Sequence, residues 1–153
     1  MKKYIYMKQY MSGSPEETRA IGFRVGGLLR PGDVVGLYGE LGAGKTVLAK
    51  GIGTAFGIKS REIVSASFTV IAEYDTSPPF IHIDLYRIND KTELAELGFR
   101  EYLGYQGVSV IEWAEKAEGE LPEDLIKIRL RPVSEHVREI TIEGMNGEDR
   151  DNL

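Results

Sequence analysis

Apolar residues recur along this chain in two spacings, and the two spacings take turns. From Ser14 onward, Ala20, Ile21, Val25, Leu28 and Leu29 fall near helical intervals. Ser14 suits an N-cap, Pro15 the first helical position, and Glu17 completes a capping box, so a helix begins there. Arg30-Pro31-Gly32-Asp33 closes it with a turn. Val34–Tyr38 is a short apolar run of buried-strand type. Helical spacing returns over residues 45–56, with Gly57 as the natural stop. Residues 68–74 and 80–85 read as strands around a turn at 76–79, and 90–97 and 99–103 as short helices broken at Gly98. Residues 108–113 form another buried strand, and 125–130 and Arg138–Glu143 two more.

This order predicts one α/β domain with a mixed central sheet over residues 1–143. Residues 144–153 are polar apart from Met145 and Leu153, and are expected to form a disordered tail. A chain of 153 residues is about one domain's worth, and its 42% hydrophobic and 28% charged residues are ordinary for a soluble protein. No stretch approaches the ~18 apolar residues that cross a bilayer. Lys8 and Gln9 interrupt the N-terminal segment, so no signal peptide and no membrane association are expected. A cytoplasmic address follows from those missing signals.

Composition also narrows the chemistry. With no cysteine there is no disulfide framework, thiol nucleophile or thiolate metal site. The two histidines, His82 and His136, exclude a multi-histidine zinc centre within one chain. Nineteen Lys and Arg against 24 Asp and Glu leave a net charge of -5, which argues against a stand-alone nucleic-acid binder. Lys127, Arg129 and Arg131 alternate along a strand and read as its solvated face.

Between the strand at Val34–Tyr38 and the helix at 45–56 lies Gly39-Glu40-Leu41-Gly42-Ala43-Gly44-Lys45-Thr46, a match to the P-loop pattern. In a chain of this composition a chance match has a probability on the order of 1%. The strand before it and the helix after it are the context the motif demands. Such a loop wraps backbone N–H groups around a polyphosphate, and the following helix aims its positive end at the same anion. Lys45 would bridge the β- and γ-phosphates, and the Thr46 hydroxyl would ligate Mg²⁺. No Asn-Lys-x-Asp guanine signature is present, which favours ATP over GTP.

A P-loop needs a strand-end carboxylate for Mg²⁺. Asp84 and Glu112 are the two candidates, each of which could instead be a plain solvated strand end. Alternation places His82, Asp84 and Tyr86 on one face of their strand and Ile81, Ile83 and Leu85 on the other. Ser65-Ala66-Ser67-Phe68-Thr69 suits a switch-like loop or an ordinary strand entry. His82 is open between phosphate positioning and a structural role, Trp113 between core and interface, and Arg87 between the γ-phosphate and a salt bridge.

The sequence resembles the TsaE family, small bacterial P-loop ATPases of tRNA threonylcarbamoyladenosine biosynthesis. The resemblance spans most of residues 14–143 and rests on the Gly39–Thr46 loop, the Ser65–Thr69 segment, His82-x-Asp84-x-Tyr86-Arg87, and Glu112-Trp113. Ala66, Ser67 and Ala114 depart from the usual Pro, Thr and Pro, without removing an expected ligand. The resemblance implies a three-layer α/β P-loop NTPase fold, a low intrinsic ATPase activity with ATP and Mg²⁺, and association with TsaD and TsaB. It carries Lys45 and Thr46 over as phosphate and Mg²⁺ contacts, Glu112 as the favoured metal carboxylate and Asp84 as a second acid. Thr18 and Arg138 are the candidates for the adenine, since an arginine plane can stack on a base. tRNA is then met only indirectly, through the partner proteins. The other readings are a small-molecule P-loop kinase and a nucleotide-dependent binding module with negligible turnover.

Overall fold

The computed structural model describes residues 7–63, 70–103, 106–146, 149 and 151–153. Helix α1 (Pro15–Gly26) starts where its cap residues dictate: the Glu17 N–H donates to Ser14 Oγ at 3.1 Å. The Glu17 carboxylate accepts from the Gly13 N–H at 2.6 Å, one residue ahead of the usual capping-box partner. Helix α2 (Lys45–Thr54) ends two residues before Phe56, and Gly57 takes the positive φ of 85° that stops the segment. Helix α3 (Lys91–Glu96) is capped by Asp90 and followed, after Gly98, by a 3₁₀ turn at Phe99–Tyr102.

Strands β1 (Met7–Ser12), β2 (Val34–Tyr38), β3 (Ile71–Tyr74), β4 (Phe80–Asp84), β5 (Val108–Glu112), β6 (Ile126–Pro132) and β7 (Arg138–Glu143) form one sheet in the order β1-β7-β6-β2-β5-β4-β3. Strands β6, β2, β5 and β4 run parallel, while β7, β1 and β3 are antiparallel to their neighbours. The near-continuous apolar runs of β2 and β5 suit strands covered on both faces. Val35, Leu37, Val110 and Ile128 pack under Ile21 and Val25 of α1 and Leu48 and Ile52 of α2. Val34, Ile83 and Ile111 pack on the other face against Leu94, Phe99, Ala114 and Ala117. The result is the expected three-layer α/β arrangement with a mixed sheet.

Glycine sets how closely α1 and α2 approach. A Cβ on Gly22 would lie 2.5 Å from the Leu48 carbonyl oxygen, and one on Gly51 would collide with the Arg19 carbonyl. This contact seats α2, and hence its N-terminus, against the sheet.

The structure corrects several expectations. Strand β1 was not anticipated, because Met7 and Met11 lie on its exposed face while Lys8 and Tyr10 line the other, inverting the usual pattern. Strand β3 starts at Ile71, and the Ser65–Thr69 segment lies outside the described residues. Strand β4 ends at Asp84, so Tyr86 falls on the following turn, exposed, rather than on the His82 face. Of the described residues beyond Glu143, Met145 is buried, and Arg30 donates to Asp149 at 3.3 Å. Among the described residues no helix is long and apolar enough to cross a membrane.

Candidate functional site

Parallel strands bring their carboxyl ends to one edge of a sheet, where open α/β folds place their ligands. Here that edge holds the loop after β2, Asp84 at the end of β4 and Glu112 at the end of β5. Asp84 and Glu112 are register partners on adjacent strands. Both are buried, 7% and 2% exposed, so neither is a solvated strand end.

The loop runs from Gly39 to Gly44. Gly42 and Gly44 adopt φ of 81° and 103°, a region that L side chains enter only at a steric cost. Gly39 is needed for space, since a Cβ there would sit 2.5 Å from the Leu130 carbonyl oxygen. Ala43 is fully buried beneath the loop, and Glu40 and Leu41 are exposed on it. Gly44 is the N-cap of α2 and brings no side-chain cap; no acidic residue occupies the first turn. The helix therefore presents its positive end and its first N–H groups with no carboxylate of its own to satisfy them, which is the arrangement that accepts an anion.

Lys45 is 5% exposed. Its Nζ donates to the Gly39 carbonyl at 2.5 Å and the Glu40 carbonyl at 2.8 Å, and lies 4.0 Å from the centre of the Trp113 ring. Burial pushes this ammonium below the ordinary lysine range, against the pull of Glu115, Glu112, Asp84 and Glu40. Thr46 Oγ1 donates to Glu112 Oε1 at 2.7 Å, and the other Glu112 oxygen lies 2.6 Å from His82 Nε2. Asp84 Oδ1 accepts from the Tyr86 N–H at 3.0 Å. Burial first, and the Glu112 charge second, push Asp84 above the usual carboxylate range.

Lys45, Thr46, Asp84 and Glu112 thus converge, although they lie on three separate elements. A hydroxyl and two carboxylates are hard oxygen donors of the kind Mg²⁺ takes alongside water and phosphate oxygens. No cluster of three or more His, Cys, Asp or Glu arranged for a metal occurs among the described residues, and a Mg²⁺ site shared with a polyphosphate does not require one.

The two adenine candidates also come to the loop, in different conditions. Arg138 donates to the Gly42 carbonyl at 3.3 Å and to the carbonyls of Ser134, Glu135 and Val137. Thr18 is buried, its hydroxyl 2.7 Å from Ser12 Oγ. Its methyl is 3.9 Å from where a Gly44 Cβ would stand, so Thr18 supports the loop from below. Arg87 is exposed on the turn after β4. Sequence reasoning missed the His82–Glu112 contact. The alternation signal put His82 on the Asp84 face, but nothing in one strand reveals which strand lies beside it.

The crystal structure of Bacillus subtilis YdiB matches with a TM-score of 0.78 at 33% identity, covering 99% of this chain and 94% of that one. The tRNA threonylcarbamoyladenosine biosynthesis protein TsaE of Bacillus subtilis (strain 168) is 42% identical over 138 residues, covering 88% of this chain and 85% of its own. Its counterpart from Treponema pallidum (strain Nichols) is 40% identical over 132 residues, covering 86% of this chain and 97% of its own. The family model for "Threonylcarbamoyl adenosine biosynthesis protein TsaE" matches residues 12–140. That span contains the glycine loop, the His82–Asp84 strand end and the Glu112-Trp113 pair, and on it the chain belongs to the TsaE family.

Proposed function

We propose that this chain is a Mg²⁺-dependent ATPase of tRNA threonylcarbamoyladenosine biosynthesis, working in the cytoplasm with TsaD and TsaB. The observation that carries the reading is the convergence of Lys45, Thr46 and Glu112 at an uncapped helix N-terminus fronted by Gly42 and Gly44. Family membership supports the pathway, since both quoted relatives carry it in their names.

In this reading the loop and first-turn N–H groups hold the phosphates. Lys45 leaves the Gly39 and Glu40 carbonyls to meet negative charge that grows in the transition state. Thr46 and Glu112, bonded to each other in the protein, are the residues that would hold Mg²⁺, with Asp84 beside them. When bound, Mg²⁺ neutralises phosphate charge. Asp84, buried beside Glu112 at the strand ends, is suited to orienting a water by hydrogen bond. The tie of Lys45 to two carbonyls and a ring fits a low intrinsic rate, raised when partners reorganise the loop.

Phosphate release measured with and without purified TsaD–TsaB tests the proposal. Stimulation by the pair is expected. Transfer of phosphate to an added acceptor would instead make the chain a small-molecule kinase. Nucleotide-dependent complex formation without turnover would make it a binding module.

A further inference from the structure

His82 occupies a position where packing alone would favour a hydrocarbon. It is 0% exposed on β4, between Phe80 and the Ile83–Asp84 strand end, and its register partner is Val110. Its Nε2 lies 2.6 Å from Glu112 Oε2, across to the neighbouring strand. A carboxylate oxygen accepts, so Nε2 carries the proton and donates it. The other ring nitrogen, Nδ1, is buried and finds no hydrogen-bond partner among the described residues. A buried polar atom left unpaired works against folding, so the imidazole is not explained by stability on that side of the ring. What it does satisfy is one oxygen of Glu112.

The Glu112 carboxylate is held at both ends, by Thr46 from α2 and by His82 from β4. These two holds differ in kind. In the ATPase reading the Thr46 hydroxyl would offer a lone pair to the metal, so its hold on Oε1 would be shared with the ion. His82 has nowhere to go: it is enclosed within the sheet and helix layer. We infer that His82 is a positioning residue for the metal carboxylate, fixing Glu112 through Oε2 so that Oε1 stays aimed at Thr46 and the ion they share. Partners of this kind set the orientation and basicity of a metal-binding carboxylate without touching the metal. The inference rests on the proposed Mg²⁺-nucleotide reading, and it names a residue for which the sequence had left phosphate positioning and a purely structural role both open.

The test is calorimetric titration of ADP into the full chain, in Mg²⁺ and in EDTA, for wild type, His82→Leu, His82→Gln and His82→Asn. Glutamine carries an amide N–H to about the place of Nε2, whereas asparagine is too short to reach Glu112. His82→Leu is expected to lose at least roughly tenfold in Mg²⁺-dependent affinity, the usual scale for losing such a partner. Its affinity in EDTA should stay within about twofold of wild type. His82→Gln should recover most of the loss and His82→Asn should not. In a Glu112→Gln background, His82→Leu should add less than about twofold. If the leucine variant does not fold, the Gln and Asn pair decides, since both are polar and only reach distinguishes them. Equal Mg²⁺ dependence in Gln and Asn variants, or a loss in EDTA as large as in Mg²⁺, would overturn the role of His82. A wild type whose ADP affinity ignores Mg²⁺ would overturn the shared-metal reading, and this inference with it; one that binds no ADP at all would overturn the nucleotide reading itself.

Discussion

The Lys45 ammonium lies 4.0 Å from the centre of the Trp113 ring, and the backbone of Trp113 is what brings the ring there. Trp113 adopts φ 58° and ψ 42°, a left-handed conformation that costs a non-glycine residue on the order of 1–2 kcal/mol. It follows Glu112 directly, so the chain turns sharply at the end of β5 into the 3₁₀ turn Ala114–Ala117 and leaves the ring over the loop. The Tyr86 ring backs it at 5.3 Å between centroids. Strain of this kind accumulates at functional sites, where surrounding structure holds it. A cation buried at 5% exposure is compensated here by two carbonyls and an aromatic face.

The first prediction concerns that cation. Lys45→Ala removes the proposed charge-assisted contact to phosphate, worth about 1.5–3 kcal/mol in the ground state and more in the transition state. The fold should survive, because alanine brings no charge of its own into the site and Glu112 keeps its contacts with Thr46 and His82. Phosphate release should fall at least about tenfold. Near-normal turnover by a folded Lys45→Ala protein would remove the P-loop reading.

The two acids should separate in activity. Glu112→Gln keeps the shape of a side chain bonded to Thr46 and His82 but cancels the charge proposed to hold Mg²⁺. Hydrolysis should collapse, by roughly 100-fold or more, and Mg²⁺-dependent nucleotide affinity should fall by at least the roughly tenfold expected of His82→Leu. Asp84→Asn keeps the acceptor for the Tyr86 N–H and should be the milder of the two. Normal hydrolysis by Glu112→Gln together with a dead Asp84→Asn would reverse the assignment.

Asp84 also makes a claim on stability. Its proton is held to higher pH in the folded chain than in the unfolded one, chiefly through burial and then through Glu112. Across the window from the ordinary carboxylate range up to that raised value, the folded state binds more protons, so stability falls as pH rises. Above that raised value, in EDTA, the full penalty is present. Asp84→Asn should therefore melt above wild type there, by roughly 2–4 °C for each kcal/mol relieved in a chain of this size. The gap should close as pH drops below the ordinary carboxylate range. An Asn variant that melts below wild type above the raised value would show that Asp84 is stabilising as a charge.

Much of this site could be read from the sequence because its signals are local. The glycines of the loop, the Ser14 cap and the apolar run of β2 each announce themselves within a few residues. Asp84 and Glu112 were recognisable as acids at strand ends, but their adjacency depends on β4 and β5 being neighbours. That pairing is a property of the sheet order, which no single segment encodes. The same holds for His82 and Glu112, 30 residues apart in sequence, and for Arg138, which reaches Gly42 from the far side of β6. Strand β1 escaped for a different reason. It is an edge strand whose large apolar Met7 and Met11 face outward, so hydrophobicity pointed to the wrong face. Met145 escaped because one apolar residue in a polar stretch carries no period.

The last prediction is that the isolated chain does not hold tRNA tightly. Non-specific nucleic-acid affinity comes from cations that release counterions from phosphates, and this chain has a net charge of -5. Its longest basic strip, Lys127, Arg129 and Arg131 on β6, is answered by its neighbour. Glu143 is the register partner of Lys127, and Glu139 that of Arg131, with the Arg131 guanidinium bound to Glu139 at 2.8 Å. Lys127 and Arg129 lie 5.4 and 5.5 Å from the centre of the Tyr38 ring, against the aromatic surface a base would otherwise stack on. With Arg131 paired to Glu139 and Lys127 set opposite Glu143, this short strip offers little counterion release. Filter binding or calorimetry at physiological salt should give a Kd no tighter than about 10 μM, within the weak non-specific range. Addition of TsaD–TsaB should tighten capture of tRNA by the assembly, with the nucleotide state of this chain setting how strongly it joins. Submicromolar binding by the pure chain, independent of ATP, would make direct RNA recognition the better reading of this protein.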